Sequence, residues 1–189
     1  IFHELESLSS ELIFEDKFMK VHTIPLTHRI YTNGFLFREK NSFRRIEKEK
    51  VKKHNISISQ YENLKRGKDV ISDDEKIIKN KLVTLPASKT KSFAFCSDTS
   101  YNEEIIKKLK NVDVLYHEST FLESHRELAK LTKHSTAGDA AKIAKKANVE
   151  KLILGHFSAR YKDKKRFLHE AKAYFENVEI AEDGKTFIF

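Results

Sequence analysis

The chain has 189 residues, of which 39% are hydrophobic and 11% aromatic, values of a folded domain with a core and not of a disordered chain. No apolar run approaches the length of a membrane span, and no signal-peptide pattern opens the chain. The formal charge is +8 at pH 7, and its distribution indicates a polyanionic partner.

The first part of the chain predicts a group of strands. Leu12–Phe14 and Phe18–Leu26 are short apolar or alternating runs, which favour strands. Ile30–Phe37 predicts another strand, with a bulge or turn at Asn33-Gly34. His28 lies between the second and third of these strands.

The segment 38–68 carries most of the excess charge. It holds eleven Lys or Arg and four Glu, a balance of +7, whereas the rest of the chain holds twenty-five basic and twenty-four acidic residues. Residues 44–53 and 59–65 are helix-like but too charged for a wide core-facing stripe. The segment is therefore interpreted as an excursion that contacts nucleic acid. A solvated lysine-rich helix, typical of lysine-rich proteomes, has about equal weight and stays open.

From residue 91 onward, strands alternate with helices, which predicts an α/β fold with helices layered on a sheet. Capping boxes are expected at Ser100 with Glu103 and at Thr136 with Asp139. The predicted strands are Ser92–Cys96, Val112–Tyr116, Lys151–Leu154, Val178–Ile180 and Thr186–Phe189, and the predicted helices are 102–110, 124–131, 140–147 and 163–175.

Polar clusters follow three of these strands. They are Ser97-Asp98-Thr99, His117-Glu118-Ser119-Thr120 and His156-Phe157-Ser158, with His134-Ser135-Thr136 before a helix. Because strand ends converge at one edge of such a sheet, these side chains have the composition of a zinc site. Any single cluster is more simply a capped turn, but four of them favour a functional site.

The only cysteine, Cys96, ends an apolar strand and is interpreted as a packed side chain. A single cysteine allows no intramolecular disulfide and is compatible with a reducing compartment, so a cytoplasmic protein is expected.

Together these motifs resemble the ordered signatures of the ribonuclease Z family, from about His28 to the C-terminus. The fourth signature is Leu154-Gly155-His156-Phe157-Ser158-Ala159-Arg160-Tyr161. The resemblance implies a metallo-β-lactamase-type αββα sandwich and an endonuclease that trims the 3′ end of precursor tRNA. It also implies two zinc ions, a homodimer, and a protruding basic tRNA-binding arm at about 38–68.

The resemblance implies a role for each matching residue. Asp98 would bridge two zinc ions, which His28 and His156 would also bind. His134 would donate a proton to the scissile phosphodiester, and Glu118 would orient it. The implied substrate contacts are Arg160 near the phosphate and Arg44, Arg45, Lys48, Lys52 and Lys53 in the arm.

The family's His-x-His-x-Asp-His zinc motif does not occur in this sequence. We therefore expect a partial domain over residues 1–189, corresponding to the C-terminal portion of the family, which is not fully active by itself. Two alternatives stay open: a non-catalytic RNA-binding remnant, and another metallo-β-lactamase-fold hydrolase acting on a small phosphodiester.

Overall fold

The computed structural model describes residues 4–40 and 43–189. The chain divides into two compact units, Ile1–Arg38 with Lys91–Phe189, and Glu39–Thr90. In the described part of the chain, no helix is long and apolar enough to cross a membrane.

The strands are β1 (Leu12–Glu15), β2 (Met19–Pro25), β3 (Asn33–Glu39), β4 (Arg45–Ile46), β5 (Val70–Ile71), β6 (Ile77–Ile78), β7 (Thr84–Leu85), β8 (Ser92–Cys96), β9 (Val114–Glu118), β10 (Lys151–Gly155) and β11 (Val178–Ile180). The α-helices are α1 (Lys48–Lys53), α2 (Tyr61–Lys65), α3 (Asn80–Val83), α4 (Ile106–Leu109), α5 (Arg126–Thr132), α6 (Ala137–Ala147) and α7 (Lys165–Lys172). Short 3₁₀ turns precede α2, α4 and α5.

The first unit contains one seven-stranded sheet of order β1-β2-β3-β8-β9-β10-β11. Strands β8, β9, β10 and β11 are mutually parallel, whereas β3 runs antiparallel to β8. The carboxyl ends of β8, β9 and β10 therefore meet at one edge of the sheet.

The structure corrects three of the predicted strands. Strand β9 begins and ends two residues later than expected, so His117 and Glu118 lie inside it. Strand β3 starts at Asn33, three residues later than predicted, and residues 30–32 lie outside it. The predicted strand Thr186–Phe189 does not form, and only the Asp183-Gly184 turn is present there.

Helices α4, α6 and α7 cover one side of this sheet, and their contacts with each other and with the strands form the core. Small alanines in α6 are fully buried and allow close packing against β9 and β10. The predicted capping box of Thr136 with Asp139 is confirmed. The one at Ser100 is wrong: Asn102 caps the turn, and the Ser100 hydroxyl donates to the Thr27 carbonyl.

The second unit has a small core of its own. Its buried side chains come both from the basic segment and from the residues that follow it up to Thr90. They are Val51, Ile56, Leu64, Val70, Ile78 and Val83. Strand β4 pairs with β7, and β5 pairs with β6, both antiparallel. The basic segment, from Glu39 onward, is therefore part of a longer compact unit that reaches Thr90.

Candidate active site

The parallel strands bring the predicted site residues together. Asp98 follows β8, His156 follows β10, and Glu118 is the last residue of β9 between them. One oxygen of Asp98, Oδ1, lies 3.3 Å from His156 Nε2 and 4.0 Å from His134 Nδ1. The possible ligand atoms of Asp98, Glu118, His134 and His156 all lie within 4.8 Å of one another.

Asp98 and His156 both adopt a left-handed backbone conformation, with φ of 60° and 56°. This conformation costs free energy for residues other than glycine and tends to occur where function requires it. It turns the chain sharply at the ends of β8 and β10, directly at the site.

Gly155 permits a close approach next to His156. A Cβ at this position would lie 2.1 Å from the hydroxyl oxygen of Tyr116, so only glycine fits. The Tyr116 hydroxyl, on strand β9, thus lies directly against the backbone next to His156. The loop that carries His156 is thereby fixed on the neighbouring strand.

Glu118 is a fully buried carboxylate that accepts hydrogen bonds from three loops. Its Oε1 accepts from the Thr99 N–H at 2.7 Å and from His134 Nδ1 at 2.7 Å. Its Oε2 accepts from the Thr120 hydroxyl at 2.6 Å, the Thr120 N–H at 3.3 Å and the Ser135 N–H at 3.1 Å. Burial alone would raise the pKa of Glu118, but these hydrogen bonds outweigh it and hold the pKa below its usual value.

His134 has the complementary shift. Its hydrogen bond to the Glu118 carboxylate raises the pKa of His134, against the opposing effect of burial. Its ring lies between two others, with centroids 4.9 Å from His28 and 5.3 Å from His156. Because Nδ1 is bound to Glu118, Nε2 is the ring nitrogen left for chemistry in the cleft.

The donor set fits a divalent cation such as zinc. His28 Nδ1 lies 2.9 Å from the Lys133 carbonyl oxygen, which can only accept, so Nδ1 carries the proton and Nε2 has a free lone pair. A carbonyl-bound Nδ1 is the usual arrangement of a metal-ligating histidine. His156 and the partly exposed Asp98 carboxylate are zinc-type ligands 3.3 Å apart, whereas His28 is not among the residues whose ligand atoms all lie within 4.8 Å of one another. Glu118 is unsuited to metal binding, because its oxygens are already engaged.

Arg160 lies beside this cluster. Its guanidinium is 5.4 Å from the centroid of the Phe121 ring, which is 6.3 Å from the His134 ring. The placement is compatible with the predicted contact to a substrate phosphate. His117 is 1% exposed, its Nδ1 bonds the Glu118 carbonyl, and no partner of its Nε2 is found among the described residues. Cys96 is buried, which raises its pKa to about 12, as expected of an inert packed thiol.

The basic residues predicted to bind substrate lie in the second unit. Arg45, Lys48, Lys52 and Lys53 are exposed there. Arg44 differs, because its guanidinium donates to the Thr84 hydroxyl at 2.8 Å and to the Thr84 carbonyl at 3.4 Å. The Arg44 guanidinium therefore stabilises the second unit through these hydrogen bonds.

Sequence reasoning gave Thr120 no role, although its hydroxyl contacts both Glu118 and His156. The only signal for Thr120 in the sequence is its position two residues after Glu118, because the partners of a hydroxyl group depend on tertiary structure.

Comparison with known proteins gives two kinds of likeness. A family model described as a beta-lactamase superfamily domain matches residues 80–157. A ribonuclease Z of Bacteroides fragilis is 42% identical over 184 residues, which cover 97% of this chain and 60% of that protein. The chain thus spans about 60% of the length of the curated relatives it matches.

Solved structures support the same fold. YhfI of Bacillus subtilis, a metallo-beta-lactamase fold protein, matches with a TM-score of 0.60 at 16% identity, over 93% of this chain and 51% of that one. The short form of human tRNase Z matches with a TM-score of 0.50 at 22% identity, over 92% and 44%. The predicted fold and the family resemblance drawn from the motifs are confirmed.

Proposed function

Because this chain has a metallo-β-lactamase fold and is similar to ribonuclease Z over 97% of its length, we propose that it forms the catalytic region of a zinc-dependent endoribonuclease that removes the 3′ trailer from precursor tRNA. The observation that carries the proposal is the placement of His134. It is held by a buried carboxylate, and its Nδ1 lies 4.0 Å from an oxygen of Asp98.

In this proposal Asp98, His28 and His156 would hold the zinc, and the Asp98 carboxylate has two oxygens that could serve two ions. Bound zinc would supply an activated water and neutralise charge on the phosphate. The oxygen of a water would bond to phosphorus as the bond to the departing oxygen breaks. One proton of that water would stay on the new phosphate group or pass to solvent, and His134 would donate a proton from Nε2 to the departing oxygen. Glu118 keeps His134 oriented and favours its protonated form, since the hydrogen bond raises the pKa of His134.

Substrate positioning is assigned to basic residues. Arg160 beside Phe121 would contact a phosphate next to the cleavage site. The segment 38–68, with its charge of +7, would act as the tRNA-binding arm through Arg44, Arg45, Lys48, Lys52 and Lys53. By the same resemblance we propose that the protein works as a homodimer in the cytoplasm, and light scattering in solution tests the dimer.

A cleavage assay tests the function. The whole protein to which this catalytic region belongs is purified and incubated with a precursor tRNA carrying a 3′ trailer, with a chelator and then with added zinc. Release of the trailer that stops with chelator and returns with zinc is the expected result. Turnover of bis(p-nitrophenyl) phosphate without any tRNA cleavage would overturn the substrate assignment. Salt-dependent tRNA binding without cleavage of either substrate would favour a non-catalytic RNA-binding protein.

A further inference from the structure

We infer that Thr120 is a positioning residue. Its hydroxyl donates a hydrogen bond to Glu118 and accepts one from His156, and it thereby holds His156 in the tautomer that can bind metal. The inference rests on the proposed function for the presence of a metal at this cluster. It concerns the direction of two hydrogen bonds that share one hydroxyl.

The Thr120 hydroxyl has a single proton to donate. Its Oγ1 lies 2.6 Å from Glu118 Oε2 and 2.8 Å from His156 Nδ1. Both Glu118 oxygens accept from backbone N–H groups, Oε1 from Thr99 and Oε2 from Ser135, so the carboxylate acts as an acceptor on both sides. The hydroxyl proton therefore points to Glu118.

The second bond must then run the other way. With its own proton committed, Thr120 Oγ1 accepts from His156, so the proton of a neutral His156 ring sits on Nδ1. The lone pair is left on Nε2. This is the nitrogen that lies 3.3 Å from Asp98 Oδ1, another acceptor. Because His156 Nε2 and Asp98 Oδ1 are both acceptors and lie 3.3 Å apart, they favour the binding of a cation that contacts both atoms.

The same carboxylate thus fixes two histidines with different tasks. Glu118 holds His134 directly through Oε1 and holds His156 indirectly through Oε2 and Thr120. Thr120 is 7% exposed, so water competes little for its hydroxyl. Removing only this hydroxyl should loosen His156 while leaving the bond between Glu118 and His134 in place.

Three variants test the inference. Thr120→Val removes the hydroxyl at constant shape, and Thr120→Ser restores it. Thr132→Val is the matched control, because the Thr132 hydroxyl bonds only backbone carbonyls of its own helix region, Leu128 and Ala129. Circular dichroism establishes that each variant is folded.

The first measurement is zinc affinity, determined by competition with a chromophoric chelator. We expect Thr120→Val to weaken zinc binding by about ten- to a hundredfold, the usual effect of losing a partner behind a metal ligand. Thr120→Ser should stay within about threefold of the wild type, and Thr132→Val should not differ from it. A folded Thr120→Val protein that binds zinc as tightly as the wild type would overturn the inference.

The second measurement needs no variant. Long-range ¹H–¹⁵N spectra of the metal-free wild type report which nitrogen of His156 carries the proton. We expect the proton on Nδ1, and a neutral ring protonated on Nε2 would overturn the relay. Neither readout involves RNA, so failure of a zinc-loaded wild type to cleave precursor tRNA would count against the proposed function alone.

Discussion

Glu118 Oε1 lies 2.7 Å from His134 Nδ1, and none of the Glu118 side chain is exposed. A buried carboxylate next to an imidazole stabilises the charged ring, which explains why the pKa of His134 is raised and that of Glu118 is lowered. In the proposed mechanism this pair leaves His134 Nε2 to act as the proton donor.

His134→Ala tests this role in the zinc-loaded protein. Loss of a general acid typically costs about a hundredfold or more in rate, so cleavage of precursor tRNA should fall by at least that factor. Zinc content and tRNA affinity should stay nearly unchanged, as measured by elemental analysis and filter binding. His169→Ala, an exposed histidine of α7, is the control. A matching loss of zinc would mean that His134 is a ligand.

Asp98→Asn separates metal binding from folding. Asparagine tolerates a φ of 60° as aspartate does, and the Asp98 side chain is 44% exposed. The free energy of unfolding of the metal-free protein should therefore change by less than about 0.5 kcal/mol. Zinc bound per chain should fall, because one of the proposed ligands loses its charge. Unchanged zinc content in this variant, relative to Asp183→Asn at an exposed turn, would contradict the ligand assignment.

The strand ends show what the sequence could predict. Asp98 and His156 could be placed together because each directly follows an apolar run, and parallel strands align their carboxyl ends. Only the resemblance to ribonuclease Z adds His28, because no local pattern connects it to the others. The hydrogen bonds of Thr120 could not be predicted, since they depend on how three loops meet around one carboxylate.

The second unit was harder to predict for a different reason. Residues 71–90 look polar, yet Ile78 and Val83 are buried with Val51 and Leu64 from the basic half. Isolated apolar residues in short elements give too little periodicity to reveal a small core. The boundary at Thr90 was therefore not apparent from composition.

Glu118→Gln should destabilise the protein. Gln keeps the shape but presents an NH₂ group to donors, so at least two of the hydrogen bonds at one oxygen are lost in a buried site. Unsatisfied buried groups cost about 1–3 kcal/mol, and the free energy of unfolding in urea should fall by that amount. Glu104→Gln, at an exposed position, should leave it unchanged. Equal stability of both variants would mean that Glu118 has no structural role.

The ion pair of Glu123 with Arg126 gives a pH dependence. The Arg126 hydrogen bond lowers the pKa of Glu123 from its ordinary value of 4.5. A lowered carboxyl pKa contributes stability that is present above the unfolded value and lost as pH falls through the folded one. The melting temperature of Glu123→Gln should thus lie below that of the wild type at neutral pH, and the two should converge below about pH 4.5. A constant difference down to about pH 3 would contradict this assignment.

The last prediction concerns the basic segment. Deleting residues 44–65 would also remove Val51, Ile56 and Leu64 from the second unit's core, and with them the folding of that unit. A more selective test changes three exposed lysines of α1 together: Lys48→Gln, Lys52→Gln and Lys53→Gln. The helix should persist, because Gln has nearly the same helix propensity as Lys.

This triple variant should weaken precursor-tRNA binding and reduce the slope of log affinity against log salt. Each lost phosphate contact lowers the slope by about 0.7–0.9, so three contacts lower it by about two to three. Turnover of bis(p-nitrophenyl) phosphate should persist, since such a small substrate needs no remote contact. A control with Lys107, Lys110 and Lys145 changed to Gln removes the same charge from exposed positions in or next to helices of the first unit. An equal slope change in both variants would show that only net charge matters, and loss of turnover on the small substrate would show that α1 supports the active site instead.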